Sequence, residues 1–226
     1  MADNPILIID LDGKENIVYL VVATNKSGKS SIDKTTAQKI ATETNKIYAG
    51  LGLQTRVVLY EGSESFNPAN MDKTDAVAVV GKTKQQATDY IKKNISGEFG
   101  KVLEEDNFPS SNNNPEKSEN PGKKGGAIVA VGYDAIKDFY KWDTGATEEE
   151  EAAFTVAHGT GHNATENHDS GIMSDANKLL WNKPKLKDLS KKGVSNEDYT
   201  NSMKKRFGNK AAIDNYNKNK KAKSSK

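Results

Sequence analysis

Val156-Ala157-His158-Gly159-Thr160-Gly161-His162-Asn163-Ala164-Thr165-Glu166-Asn167-His168 holds every histidine of the 226-residue chain. His158 and His162 stand four residues apart. On a helix, that spacing puts both imidazoles on one face, one turn apart, within reach of a single ion. His168 follows six residues later. No helix brings it round to the same ion, so the chain is expected to turn after about Asn163 and double back. Two nitrogens from a helix and one from the returning segment suit the tetrahedral preference of zinc, with a fourth position left open. Three histidines scattered at random would rarely fall in this pattern, which sets metal binding above the bland alternative of unrelated surface or core histidines. Nickel, cobalt or copper would accept the same nitrogens, but three imidazoles and an open position make zinc the first choice.

Working outward, the histidines belong to a helix expected from Glu148 to about Asn163, its first turns loaded with acidic residues as the helix dipole favours. Upstream, residues 5–10 (PILIID) and 16–23 (NIVYLVVA) read as strands joined by the Asp12-Gly13 turn, a hairpin. Apolar residues from Ile32 to Tyr48 recur at helical spacing, and Gly50 is a stop. Residues 55–60 (TRVVLY), 75–80 (DAVAVV) and 127–131 (AIVAV) read as strands, and 82–94 as a helix. Residues 105–126 are rich in Asn, Ser, Pro, Gly and charge. They are expected to form a long exposed polar insertion within one domain. Downstream lie a loop-rich stretch and a helix from Ser195 to about Phe207, opened by Ser195 with Asp198 three residues on. The expectation is an α+β fold, a single domain over 1–216, with 217–226 a disordered basic tail.

Composition narrows the function classes. Thirty-three basic against thirty-one acidic residues give a net charge of +2, so no field of one sign argues for nucleic acid. There are no cysteines, which leaves His, Asp and Glu as the side chains for a transition metal. No stretch has the length of a membrane span. The start, Met1 to Pro5, lacks the basic and apolar parts of a signal peptide. Export after removal of a signal, or by a route that needs none, is the favoured expectation. A toxin or effector piece of a larger secreted protein fits the same absences but rests on no motif.

The histidine segment resembles the metzincin zinc peptidases, whose motif is H-E-x-x-H-x-x-G-x-x-H followed by a Met-turn. His158, His162 and His168 match the three ligands. Asp169 follows the third, and Ser170-Gly171-Ile172-Met173 is similar to the Met-turn, whose methionine packs beneath the metal. The resemblance is specific over 158–173 and elsewhere extends to element order: a mixed sheet with an early long helix, the active-site helix, then a C-terminal helix. It implies a metzincin-like (zincin-like) fold and a zinc-dependent endopeptidase with peptide or protein substrates, in which zinc-activated water attacks a peptide carbonyl. An edge strand, for which 127–131 is the candidate, would align the substrate.

Two departures matter. Gly159 stands where the family has the general-base Glu, and Thr165 stands where it has the turning Gly. Zinc alone lowers the pKa of its water to about 7; a positioned base adds roughly 10²- to 10⁴-fold. Activity is therefore expected to be weak or lost unless another carboxylate substitutes. Glu166 is the nearest in sequence, with an exposed turn residue as its bland alternative. Asp169 and Glu151 follow, and Tyr199 or Tyr216 is conceivable as an oxyanion stabiliser. Gly159 and Gly161 each weaken a helix by roughly 1 kcal/mol relative to Ala. The main alternative is a catalytically inactive pseudo-peptidase that keeps zinc for stability or partner binding.

A nucleotide-binding reading from another class rests on residues 23–30 (ATNKSGKS), a relaxed phosphate-loop pattern between a strand and a helix, with Lys29 for phosphates and Ser30 for magnesium. It has one glycine where close backbone approach wants more. A polar loop with Ser30 or Ser31 capping the next helix is preferred. Trp142, Trp181, Phe139 and Tyr140 are expected in the core or at its rim.

Overall fold

The computed structural model describes residues 16–25, 27–53, 55–61, 66–68, 75–95, 108–112, 127–164, 168 and 170–207. Among them, five strands form one mixed sheet: β1 (Asn16–Val22), β2 (Thr55–Tyr60), β3 (Ala76–Gly81), β4 (Ser110–Asn112) and β5 (Ile128–Gly132), in the order β2-β1-β3-β5-β4. The first four of that order run parallel, and β4 is antiparallel to β5. Alternate residues of the central strands feed two cores. Val18, Leu20, Ala78, Val80, Val129 and Val131 face one side, and Tyr19, Val21, Val77, Val79, Ile128 and Ala130 the other. Burial on both faces explains why these strands read as continuous apolar runs.

Helix α1 (Lys34–Gly50) crosses the first face. Its N-cap is Asp33, whose side chain accepts from the Thr36 N–H; neither Ser30 nor Ser31 caps it. Helix α2 (Lys84–Asn94) covers the opposite face, opened by a capping box of Thr83 and Gln86. After β5 come α3 (Tyr133–Phe139) and then the histidine helix α4 (Glu148–Ala164). A reciprocal pair starts α4: Thr147 N–H donates to Glu150 Oε2, and Glu150 N–H to Thr147 Oγ1. Residues Glu151 to Ala164 of α4 are all buried, so this helix is enclosed by the sheet, α1 and the C-terminal elements. These are a 3₁₀ turn (Gly171–Met173), α5 (Ala176–Asn182), α6 (Leu186–Leu189), a second 3₁₀ turn (Val194–Asn196) and α7 (Glu197–Phe207).

Several expectations change. The loop-rich stretch after the histidines contains α5 and α6. The last helix begins at Glu197, with a 3₁₀ turn where Ser195 was expected to cap it. Residues 5–10 lie outside the described residues, and both sides of β1 are taken by β2 and β3, so β1 has no side open for a hairpin partner. Part of the supposed exposed insertion is core: Phe108, Ser110, Ser111 and Asn112 are buried. Their polarity hid a strand whose backbone is paired to β5. For the same reason β5 is not an edge; β4 is, and its own side chains are covered. The remainder of 105–126 and the tail at 217–226 lie outside the described residues, as does every residue from 208 on. No described helix is long and apolar enough to cross a membrane.

Candidate metal centre

Helix α4 brings His158 and His162 to one face, as their spacing requires. Their Nε2 atoms stand 3.0 Å apart. His168, from the returning chain, completes the group: each ring offers one nitrogen, and all three nitrogens lie within 4.8 Å of one another. The ring centroids of His162 and His168 are 4.6 Å apart with planes at 89°, and those of His158 and His162 are 4.7 Å apart at 75°. Two nitrogens bound to one tetrahedral zinc at 2.0–2.1 Å would stand roughly 3.3 Å apart, close to the spacing of the helical pair. The three-imidazole donor set could hold a metal ion, and its kind and the spacing of its helical pair are compatible with zinc.

His158 is fixed most firmly. It is fully buried, and its Nδ1 lies 2.7 Å from the Ile172 carbonyl oxygen. A carbonyl only accepts, so Nδ1 carries the proton and Nε2 is left with its lone pair toward His162. Burial, with His162 and His168 close by, holds the His158 imidazole well below its ordinary pKa, against the opposing pull of the Ile172 carbonyl. The neutral ring is the form that binds a metal. Phe108 lies over the ring of His158, centroids 4.3 Å apart, and shields it from the side of β4.

The glycines of α4 are contact positions. A Cβ on Gly159 would stand 2.5 Å from Val129 Cγ1 on β5 and 3.4 Å from Ser110 Oγ on β4. One on Gly161 would run into Met173 Sδ and the ring of Tyr199. Met173 is buried against the helix there. Gly171 opens that turn at φ +60, a conformation that favours glycine, and a Cβ on it would strike Asn196 Oδ1.

Other candidates are placed elsewhere. Glu166, Asp169 and Tyr216 lie outside the described residues. Glu151 is buried near the start of α4 and accepts from Thr144 Oγ1 at 2.7 Å. Burial raises its pKa, and the Thr144 hydroxyl opposes that shift; it stands about 10 Å up the helix from His158. Tyr199 is buried and donates its hydroxyl to the Ala157 carbonyl at 3.0 Å, a packing role on the flank of α4. Trp142 donates to the Pro184 carbonyl, and Phe139 and Tyr140 are buried. Trp181 departs from the expectation of core or rim: it is 88% exposed on α5.

The phosphate-loop pattern folds in on itself. Asn25 Oδ1 accepts from the Ser27 N–H, the Ser27 hydroxyl and the Lys29 N–H, and the Asn25 carbonyl accepts from the Gly28 N–H. Those amides point at Asn25 instead of at an anion. Helix α1 starts only at Lys34.

Phe108, Ile172, Val129 and Asn196 are the residues of the centre that sequence reading passed over. Ile172 alone had a signal, its place beside Met173. No protein-family model matches the chain, nor does any curated protein or any solved structure.

Proposed function

We propose that the chain is a zinc protein of metzincin type, with a His158–His162–His168 centre that acts on peptide bonds weakly at best because Gly159 stands in the place of the general base. The convergence of three imidazole nitrogens within 4.8 Å, one ring oriented by the Ile172 carbonyl, carries this reading. A mixed sheet, an early long helix, the histidine helix, a 3₁₀ turn at Gly171–Met173 and a C-terminal helix support this reading. Zinc bound there would supply a Lewis acid and would lower the pKa of a bound water to about 7. The chain's own residues hold His158 in its neutral form, exclude solvent from it and seat Met173 against the helix. Gly159 offers no proton acceptor.

One observation favours the pseudo-peptidase alternative, in which the ion serves stability or partner binding. Val129 stands where a side chain at 159 would begin. Position 159 is thus packed shut, unlike a base pocket emptied by a single substitution. The amides that a nucleotide-binding role of residues 23–30 would need are already bonded within the loop.

Metal analysis tests the centre: the purified chain should carry about one equivalent of zinc, lost on His168→Ala. Purified protein that is metal-free and indifferent to added zinc sinks the proposal. Cleavage of a peptide library, measured with and without chelator, separates the active from the inactive reading.

A further inference from the structure

Asn196 sits in the 3₁₀ turn before α7 and is 1% exposed. Its carboxamide bonds in three directions. Oδ1 accepts from the Ile172 N–H at 2.9 Å. Nδ2 donates to the Leu189 carbonyl at 2.6 Å and the Lys191 carbonyl at 2.8 Å. One acceptor facing an amide and one donor group facing two carbonyls leave no ambiguity in how the side chain is turned. Gly171, at φ +60, lets the chain pass so close that even a methyl group there would meet Asn196 Oδ1. The residue held this way is Ile172, the one whose carbonyl receives the His158 Nδ1–H. A continuous path therefore runs from the carbonyls at the end of α6 and just beyond it, through Asn196 and Ile172, to the first histidine.

We infer that Asn196 is a positioning residue for the metal centre: by fixing Ile172 it sets the orientation of His158 and so the affinity for zinc. This rests on the zinc reading above. Partners that orient a ligating histidine typically matter by roughly 10- to 100-fold in metal affinity. Asn196 acts one step further out, but it holds Ile172 by the amide of the same residue whose carbonyl orients His158, and among the described residues Asn196 is the partner of that amide.

The test compares zinc affinity with stability, using the full chain, a competing fluorescent chelator for the first and thermal unfolding in excess chelator for the second. The wild type is measured first; failure to bind zinc removes the metal-centre reading itself, and this inference with it. Given binding, Asn196→Ala should weaken zinc by roughly 10- to 100-fold. Thr144→Ala is the control: it removes a buried hydrogen bond to Glu151 at the far end of α4. It should lower Tm yet leave zinc affinity within about threefold, as distant sites act independently. Asn196→Asp keeps the oxygen that accepts from Ile172 but turns the other against two carbonyls. It should lower Tm while holding zinc more tightly than the Ala variant. The inference is overturned if Asn196→Ala binds zinc within about threefold of wild type, or if affinity simply tracks Tm across the three variants. If Asn196→Ala does not fold, Asn196→Asp decides: affinity preserved at a lower Tm supports positioning, and affinity lost in step with Tm refutes it.

Discussion

Two segments of this chain carry motif-like spacing, and they fold to opposite ends. Between Thr24 and Ser30, amides that an anion would need turn inward on the Asn25 side chain and carbonyl. Between His158 and Met173, the outer nitrogen of His158 is anchored on Ile172 and the inner one is left facing its neighbours. The lesson is one of satisfaction. A segment whose polar atoms pair locally has nothing to offer a ligand. A segment in which one histidine is tied back by its outer nitrogen, while one nitrogen from each of the three rings converges, offers a ligand donors of defined chemistry.

The comparison breaks most readily at the third histidine. His168→Ala should cost about a third of a typical zinc-site free energy of roughly 10–16 kcal/mol, or roughly 10²- to 10⁴-fold in affinity; Lys29→Ala should change neither zinc affinity nor nucleotide retention. Chelator competition and nucleotide binding measured side by side give both halves. A nucleotide that binds the wild type and is lost on Lys29→Ala would reverse the ranking of the two segments.

Next in size is the closed position on α4. Gly159→Ala should destabilise the fold by about 1–3 kcal/mol through overpacking against Val129, less the roughly 1 kcal/mol that alanine returns to the helix. Val129→Ala in the same chain should recover most of that loss, read by urea denaturation as strong non-additivity. Gly159→Glu is informative only with Val129→Ala beside it; a large rise in peptide cleavage in that double variant identifies a peptidase lacking nothing but its base.

Asn25→Ala removes the acceptor for three donors in the loop, all near the surface, and should cost about 1 kcal/mol with no change in zinc affinity. The smallest effect is at Glu151. Burial raises its pKa above the ordinary 4.5, so the folded chain holds that proton more tightly than the unfolded one. Its contribution to stability is full below the unfolded value and is lost as pH rises through the folded one. Glu151→Gln should therefore gain on wild type, by up to about 1 kcal/mol, as pH rises from the ordinary carboxyl value of 4.5, with Thr144 still donating to the amide oxygen. An unchanged difference over that rise would show that burial is not what perturbs the carboxyl.

Much of this was legible from residue order. Continuous apolar runs pointed to β1, β3 and β5, and i, i+4 spacing placed His158 with His162. What was not legible follows from physics that leaves no local mark. β4 is Ser-Ser-Asn, held by backbone pairing and by Phe108, so its composition argued loop. The register that crowds Val129 against Gly159 depends on where α4 crosses β5, a tertiary distance. Asn196 is one of many asparagines, and its three partners are contributed by residues 172, 189 and 191. Glycine in α4 read as a weakness of the helix; in the fold it is the clearance that lets β5 on one side, and Met173 with Tyr199 on the other, come into contact.

Enclosure of α4 on every side from Glu151 to Ala164 has a kinetic corollary. Amides in its middle can reach solvent only when the whole domain opens, so two of the three donors stand on the stiffest part of the molecule. A metal arriving there meets a half-built cage and needs little rearrangement. Its departure is then timed by the one donor that the helix does not carry, and hydrogen exchange around His158, limited by opening of the whole domain, should be slow without the ion and slower still with it.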